Sequence, residues 1–269
     1  MKRFKTVHYT IHSNKIKDAR GVRFAVIADL HGLEFGPDNR KLPETIHRYR
    51  PDGILIAGDM IVRNDPASLK TASSLLSSLA QQYPVYYALG NHEYKLYRTD
   101  SQENCMAARY QEYEKELKTA GIHIMHNESC SLQVGKTSLT VYGLEIPLIY
   151  YKKPFSPQLK REEVRELIGE PSSDSLNILL AHSPKYGDTY FDWGADLILS
   201  GHYHGGIVRL GRHNGLLSPQ LHPFPKFCCG DFHRKDQHML VSAGAGEHTI
   251  PVRIHNPREL LMVDLKPSD

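Results

Sequence analysis

The sequence predicts an α/β protein built on parallel strands that are buried on both faces. Three observations predict it. Apolar runs alternate with amphipathic stretches along the chain. The runs are short and almost continuously apolar, as strands covered on both sides are, rather than alternating. Five of them lead directly into Asp, Asn or His, the residue types expected where ligands bind beyond the carboxyl ends of parallel strands.

The elements follow in order. Val7, Tyr9 and Ile11 alternate with polar residues and predict a first strand with one exposed face. Val22–Ala28 is a buried strand, followed by a helix over Asp38–Arg50 with Leu42, Ile46 and Tyr49 on one side. Gly53–Ala57 is the second buried strand. Asp65-Pro66 opens a helix, Asp as cap and Pro at the first helical position, and Leu69, Ala72, Leu75, Leu76 and Leu79 give it its period. Val85–Leu89 is the third buried strand, and Gln102–Ala120 is a helix ended by Gly121. Ile122–Met125, Ser131–Val134 and Ser138–Gly143 read as strands joined by tight turns. Gly143–Ser156 reads as a long loop and Pro157–Ile168 as a helix. Leu176–Leu180 and Leu197–Leu199 are two more buried strands, and the tail carries strands near Ile207–Leu210, Met239–Ser242 and Leu260–Leu265. No repeat, low-complexity tract or linker interrupts the 269 residues, which predicts one domain over residues 1–269.

Composition narrows the function classes. An apolar fraction of 40% and a charged fraction of 23% are ordinary for a globular protein. A net charge of +3, from 33 basic and 30 acidic residues, argues against a dedicated nucleic-acid binder. Cys105, Cys130, Cys228 and Cys229 form no C-x-x-C pair and read as reduced thiols. No run approaches the length of a membrane span, and no apolar signal-peptide core follows Met1-Lys2-Arg3-Phe4, so the expected location is cytoplasmic. Sixteen histidines are many, and position decides what they mean.

The buried strands run into Asp29-Leu30-His31, Gly58-Asp59, Gly90-Asn91-His92-Glu93, Ala181-His182 and Gly201-His202-Tyr203-His204. Each alone has a plain explanation: a helix cap, a turn, a satisfied buried histidine. All five in succession, each directly after a buried strand, do not. Residues i and i+2 of an extended segment point to one side, so D-x-H and H-x-H each offer two donors to one place. Glycines 58, 90 and 201 allow sharp turns and close backbone approach. Asp29, His31, Asp59, Asn91, His182, His202 and His204 are too many donors for one tetrahedral zinc. They suit two divalent ions sharing a carboxylate, with manganese, iron, zinc or nickel fitting mixed N/O donors. Such a pair clamps the attacking and leaving oxygens of phosphoryl displacement and makes bridging hydroxide from water near neutral pH.

The motif order D-x-H, G-D, G-N-H-E, H, G-H-x-H resembles the calcineurin-like metallophosphoesterases. Leu199–Leu210, Gly215–Pro219, Phe224-Pro225-Lys226 and Ala243–Arg253 resemble the tail of their bacterial YkuE/YaeI-like phosphodiesterase subgroup. The resemblance implies two packed mixed β-sheets flanked by helices. It implies that Asp29, His31, Asp59 and His204 hold one metal, and that Asp59, Asn91, His182 and His202 hold the other, with Asp59 bridging. His92 matches the family histidine that contacts the phosphate and helps protonate the leaving group. The expected activity is hydrolysis of a phosphoester, a diester or pyrophosphate before a monoester, with nucleotide-linked, lipid-linked and cell-wall-polymer substrates all left open. The alternative is a non-catalytic binding module of the same fold, against which the intact donor set speaks.

Members of this subgroup often carry an N-terminal anchor or export signal; neither is visible here, and the basic, aromatic loop Ile146–Phe155 is a candidate lid or peripheral membrane contact. Tyr203 stands where a small residue is often found, as a packing or substrate-stacking group. Lys226 and Arg253 are candidate positive charges for the substrate, and His222, His233 and His248 candidate pocket residues. The remaining histidines read as surface or structural.

Overall fold

A computed structural model describes residues 2–102, 104–152, 155–206, 208–211, 213–215, 224–247 and 252–268; of Asp38, Leu210 and Asn214 it describes the backbone alone. The strands are β1 (Lys5–Ser13), β2 (Val22–Ile27), β3 (Gly53–Ala57), β4 (Val85–Ala88), β5 (His123–Met125), β6 (Glu128–Val134), β7 (Thr137–Leu144), β8 (Leu176–Ala181), β9 (Leu197–Ser200), β10 (Arg209–Leu210), β11 (Asn214–Gly215), β12 (Gly230–Arg234), β13 (Gln237–Val241) and β14 (Glu259–Pro267). The α-helices are α1 (Lys41–Tyr49), α2 (Pro66–Ala80), α3 (Asn91–Tyr97), α4 (Cys105–Thr119), α5 (Arg161–Ile168) and α6 (Gly187–Trp193).

Two six-stranded sheets carry the fold, in the orders β1-β14-β2-β3-β4-β5 and β12-β13-β9-β8-β7-β6. Both are mixed. In the first, β14 runs antiparallel to β2 and the other pairs are parallel; in the second, β12–β13 and β6–β7 are antiparallel hairpins around a parallel centre.

The alternation of side chains along each strand explains the continuous apolar runs. Phe24, Val26 and Ala28 point into a core shared with Val141, Ile178, Leu180 and Leu199 of the other sheet. The intervening Ala25 and Ile27 point the other way, into a layer with Leu42, Ile46, Leu76 and Tyr110 from α1, α2 and α4. Leu179 and Ile198 turn likewise toward Val164, Ile168, Tyr190 and Trp193 of α5 and α6. The order is helix, sheet, sheet, helix. The strands alone predict parallel sheet covered on both faces, and the resemblance implies two packed mixed sheets flanked by helices; the second is the observed architecture, one face of each sheet being covered by the other. A buried strand has the same composition whichever apolar layer covers it.

Helix starts are set by capping. The Asp65 side chain accepts from the Ala67 amide as expected. The Asn104 side chain accepts from Met106 and Ala107, so α4 begins later than Gln102. Glu163 folds back to the Lys160 amide, which starts α5 at Arg161 rather than near Pro157. The stretch expected as a loop contains a 3₁₀ turn, Leu148–Tyr151. Of the strand expected over Ile207–Leu210, Arg209–Leu210 pairs with Asn214–Gly215, and Ile207 lies outside the described residues. Among the described residues no helix is long and apolar enough to cross a membrane.

Candidate metal centre

β2, β3, β4, β8 and β9 all end toward one place, and the loops after them carry the residues singled out above. The loops pair side by side where the strands stop. Asp29 N–H donates to Gly58 O (2.9 Å), His31 to Asp59 O (3.1 Å) and Gly32 to Met60 O (2.9 Å). Asp29, His31, Asp59, His202 and His204 all have positive φ, between 49° and 68°. Non-glycine residues in this region are uncommon, though Asp and His are among those enriched there. Such backbone is held by its surroundings and gathers at functional sites.

Each carboxylate bonds a neighbouring loop before it offers anything to a ligand. Asp29, fully buried, accepts from the His202 amide at 2.9 and 3.0 Å. Asp59 Oδ1 accepts from the His92 amide at 2.9 Å. This leaves Asp59 Oδ2 between His182 Nε2 at 3.1 Å and His31 Nε2 at 3.9 Å. His204 Nε2 is 3.5 Å from Asp29 Oδ1 and 3.2 Å from His31 Nε2. Donor atoms of Asp29, His31 and His204 lie within 4.8 Å of one another, as do those of Asp59, His182 and His202, and of His31, Asp59 and His92. The first two groups fall within the two sets expected from the sequence, and Asp59 stands between them.

Glycines 90 and 201 are required by close approach. A Cβ on Gly90 would sit 2.1 Å from Asp59 Oδ1, and one on Gly201 would sit 2.4 Å from Asp29 Oδ2.

Backbone carbonyls orient two of the imidazoles. His182 Nδ1 donates to Ala57 O (2.7 Å) and His31 Nδ1 to Ile61 O (3.3 Å), which turns Nε2 of each toward Asp59. His92 is the reverse: its Nδ1 accepts from the Arg63 amide at 3.1 Å, so its proton sits on Nε2.

The charges are strongly coupled. Burial raises the Asp29 carboxyl to about 7, against the pull of the His182 charge. Burial also opposes ionisation of Asp59, but the His182 and His92 charges outweigh it and hold that carboxyl well below its usual range. Burial disfavours the His182 imidazolium, yet Asp59 and then Asp29 raise it to about 10. His31 is lowered to about 4, chiefly by burial. Cation binding at such a site displaces protons from its donors.

His182 Nε2 lies 3.1 Å from Asp59 Oδ2 and 3.9 Å from Asp29 Oδ1, and Asn91 Oδ1, buried, makes no hydrogen bond among the described residues. Buried polar atoms are rarely left so, and an absent ion is one explanation for it. Oxygen and imidazole donors with no sulfur suit a hard or borderline divalent cation.

The structure adds residues to which the sequence reading assigned no such role. Glu93, fully buried, accepts four amides, those of Asp59 (3.0 Å), Met60 (2.7 Å), Ile61 (3.1 Å) and Gly90 (3.0 Å), and the Tyr87 hydroxyl (2.8 Å). Burial, then the Asp59 charge, raises its carboxyl to about 7, while five donors with no acceptor favour the ionised form. The E of G-N-H-E was the available signal. Asn256 donates to His204 O (2.5 Å) and Gly206 O (2.7 Å). The Tyr151 ring stands edge-on to His202, centroids 5.2 Å apart.

Other expectations resolve differently. Arg253 is turned inward rather than toward a substrate, donating to Ala243 O (2.8 Å) and Gly246 O (2.7 Å), with Nη2 3.3 Å from His204 Nδ1. Lys226 forms an exposed ion pair with Asp188. Tyr203 is buried and packs beside His202, as a packing residue would. His233 lies on β12 against His238. His222 and His248 lie outside the described residues.

The sequence model of the family described as calcineurin-like phosphoesterase matches residues 22–206. F40B5.2 of Caenorhabditis elegans is 28% identical over 281 residues, covering 96% of this chain and 53% of its own length. The metallophosphoesterase Cj0846 of Campylobacter jejuni is 28% identical over 257 residues, covering 92% and 60%. The chain thus spans little more than half the length of these relatives. Phosphodiesterase YaeI of Escherichia coli is 25% identical over 196 residues, 72% of this chain and 64% of that one. A Staphylococcus aureus crystal structure assigned as a 5′-nucleotidase superposes with a TM-score of 0.54 at 13% identity, over 93% of this chain and 55% of that one; it bears on the fold alone.

Proposed function

This chain belongs to the calcineurin-like phosphoesterase family, and we propose that it hydrolyses a phosphoester, a diester or pyrophosphate rather than a monoester, at a centre of two divalent cations. One observation supports the reading: Asp29, His31, Asp59, His182, His202 and His204 fall into overlapping clusters that share His31 and Asp59, with the buried Asn91 Oδ1 left without a hydrogen bond among the described residues. Asp29, His31, Asp59 and His204 would hold one cation, and Asp59, Asn91, His182 and His202 the other. Manganese, iron, zinc or nickel fits these donors. When bound, the pair supplies Lewis acidity and a nucleophile from water near neutral pH. The preference for a diester is supported by the E. coli relative named a phosphodiesterase.

The chain's own groups do the rest. Asp59 commits one oxygen to the His92 amide and presents the other between the two halves. His31 and His182 are held by main-chain carbonyls with Nε2 turned toward Asp59. His92 carries its proton on Nε2, the nitrogen not bonded to the main chain, and is placed to give it to the departing oxygen. Glu93 holds the Gly58–Ile61 and Gly90–Glu93 turns in register, so Asp59 and Asn91 arrive together.

The test is metal analysis together with turnover of a chromogenic bis-aryl phosphate, with and without added manganese. Asp59→Asn should abolish turnover. His92→Ala should lower kcat about 10²–10⁴-fold with metal content near that of the native protein. A metal-loaded protein inert toward mono-, di- and pyrophosphates, or a fully active Asp59→Asn, would overturn the reading.

A further inference from the structure

Tyr151 closes the 3₁₀ turn Leu148–Tyr151 that follows β7. The turn is braced from several sides. The Tyr150 amide donates to Pro147 O (2.9 Å), the Tyr150 hydroxyl donates to the Glu163 carboxylate on α5, and the Tyr186 hydroxyl donates to Tyr150 O (2.8 Å). Tyr186 belongs to the short turn that begins two residues after His182, so both ends of this bracing reach the centre. A turn held in this way delivers its last side chain to one place.

That place is the His182–His202 half of the centre. The Tyr151 ring is edge-on to His202, at 5.2 Å and 74°, and its centroid is 6.5 Å from that of His182. Three neighbouring tyrosines spend their hydroxyls within the protein: Tyr150 on Glu163, Tyr186 on Tyr150 O, Tyr190 on Ser183 O at 3.0 Å. Tyr151 does not. No described residue hydrogen-bonds its hydroxyl, and the side chain is only partly buried. A braced phenol whose donor is unpaired among the described residues, beside two candidate metal ligands, is suited to a ligand that brings acceptor oxygens.

We propose that Tyr151 contacts the substrate, its hydroxyl donating to a non-bridging phosphoryl oxygen held over the His182–His202 side of the centre. This rests on the phosphoesterase reading given above. The phenol keeps its proton throughout and makes no covalent bond. Its contribution is to bind and orient the phosphoryl group, and to strengthen as charge gathers on that oxygen.

Tyr151→Phe tests this, because it deletes the hydroxyl and keeps the ring against His202. Metal-loaded wild type and variant are compared at equal metal content in two measurements: kcat/KM for a bis-aryl phosphate, and the dissociation constant for inorganic phosphate by calorimetry. Loss of a hydrogen bond to a charged group predicts a fall in kcat/KM of about 10–100-fold and weaker phosphate binding. Tyr151→Leu, which also removes the ring, should add a loss of bound metal. Wild-type values for both measurements in Tyr151→Phe would overturn the contact. If the wild type binds phosphate but turns over no phosphoester, the hydrolase reading fails by itself. The calorimetry still decides: weaker phosphate binding in the variant upholds the contact, and equal binding overturns it.

Discussion

Glu93→Gln tests the framework of the centre without touching any candidate ligand. Glu93 Oε2 accepts from Asp59 N and Gly90 N, each at 3.0 Å, and Oε1 accepts from Met60 N, Ile61 N and the Tyr87 hydroxyl. Glutamine is nearly the same size but puts an NH₂ in place of one oxygen. At the Oε2 position, two backbone donors then face a third donor. An unsatisfied buried donor costs about 1–3 kcal/mol, so with two of them the variant should lose about 2–6 kcal/mol of stability. For a domain of this size that is a melting temperature lower by on the order of 10 °C. Denaturant unfolding of both proteins at equal metal content measures it, with bound metal quantified in parallel. The variant should also hold less metal, because the turns presenting Asp59 and Asn91 lose their common anchor. If Glu93 carried a proton in the native state, it would already hold a donor at this point, and glutamine would be tolerated. A variant within about 1 kcal/mol of the wild type would therefore refute the argument, since its source is the ionised acceptor.

Further outcomes follow from other groups. His126 donates to Glu145 and Glu114 at 2.8 Å each, with Lys118 on Glu114 and Tyr97 stacked on its ring. Burial works against its charge, but the bonds to the two carboxylates outweigh this and raise it from 6.5 to about 9. A folded value above the unfolded one means its contribution is full below pH 6.5 and is lost as pH rises through 9. The shift corresponds to at most about 3 kcal/mol, reduced by solvent contact to about 1–2 kcal/mol. Unfolding curves at pH 6, 7.5 and 9.5 should show this decline, and His126→Gln should flatten it; equal slopes would exclude the clamp. Arg253→Met removes the donors on Ala243 O and Gly246 O, in the loop whose amides bond Ala28 O and Asp29 O. Metal affinity should fall about 10–100-fold, the usual cost of losing an outer support. Titration with a competing chelator reads it, and unchanged affinity would assign Arg253 to the tail alone.

The residues of the centre were legible in the sequence because strand ends are marked locally. A run such as VRFAVIA stops being apolar where it leaves the core, and the next polar residues must lie at its carboxyl end. The same holds for Gly53–Ala57, Val85–Ala88, Leu176–Ala181 and Leu197–Ser200, and their order along the chain names the seven candidate donors, whereas the role of His92 came from the family resemblance alone. What covers each strand was not legible. Ala25 and Ile27 face helices while Phe24 and Val26 face another sheet, and apolar side chains do not encode which partner they meet. Nor was the direction of a long side chain. Arg253 reads as a surface charge until tertiary contacts turn it onto the carbonyls of residues 243 and 246. Tyr151 sits in a stretch that reads as loop, and it reaches His202 because Tyr150, Glu163 and Tyr186 hold the turn. Local sequence determined which groups emerge from the strands. Long-range packing decided their distances, because interactions between residues far apart in the chain leave no periodic trace in it.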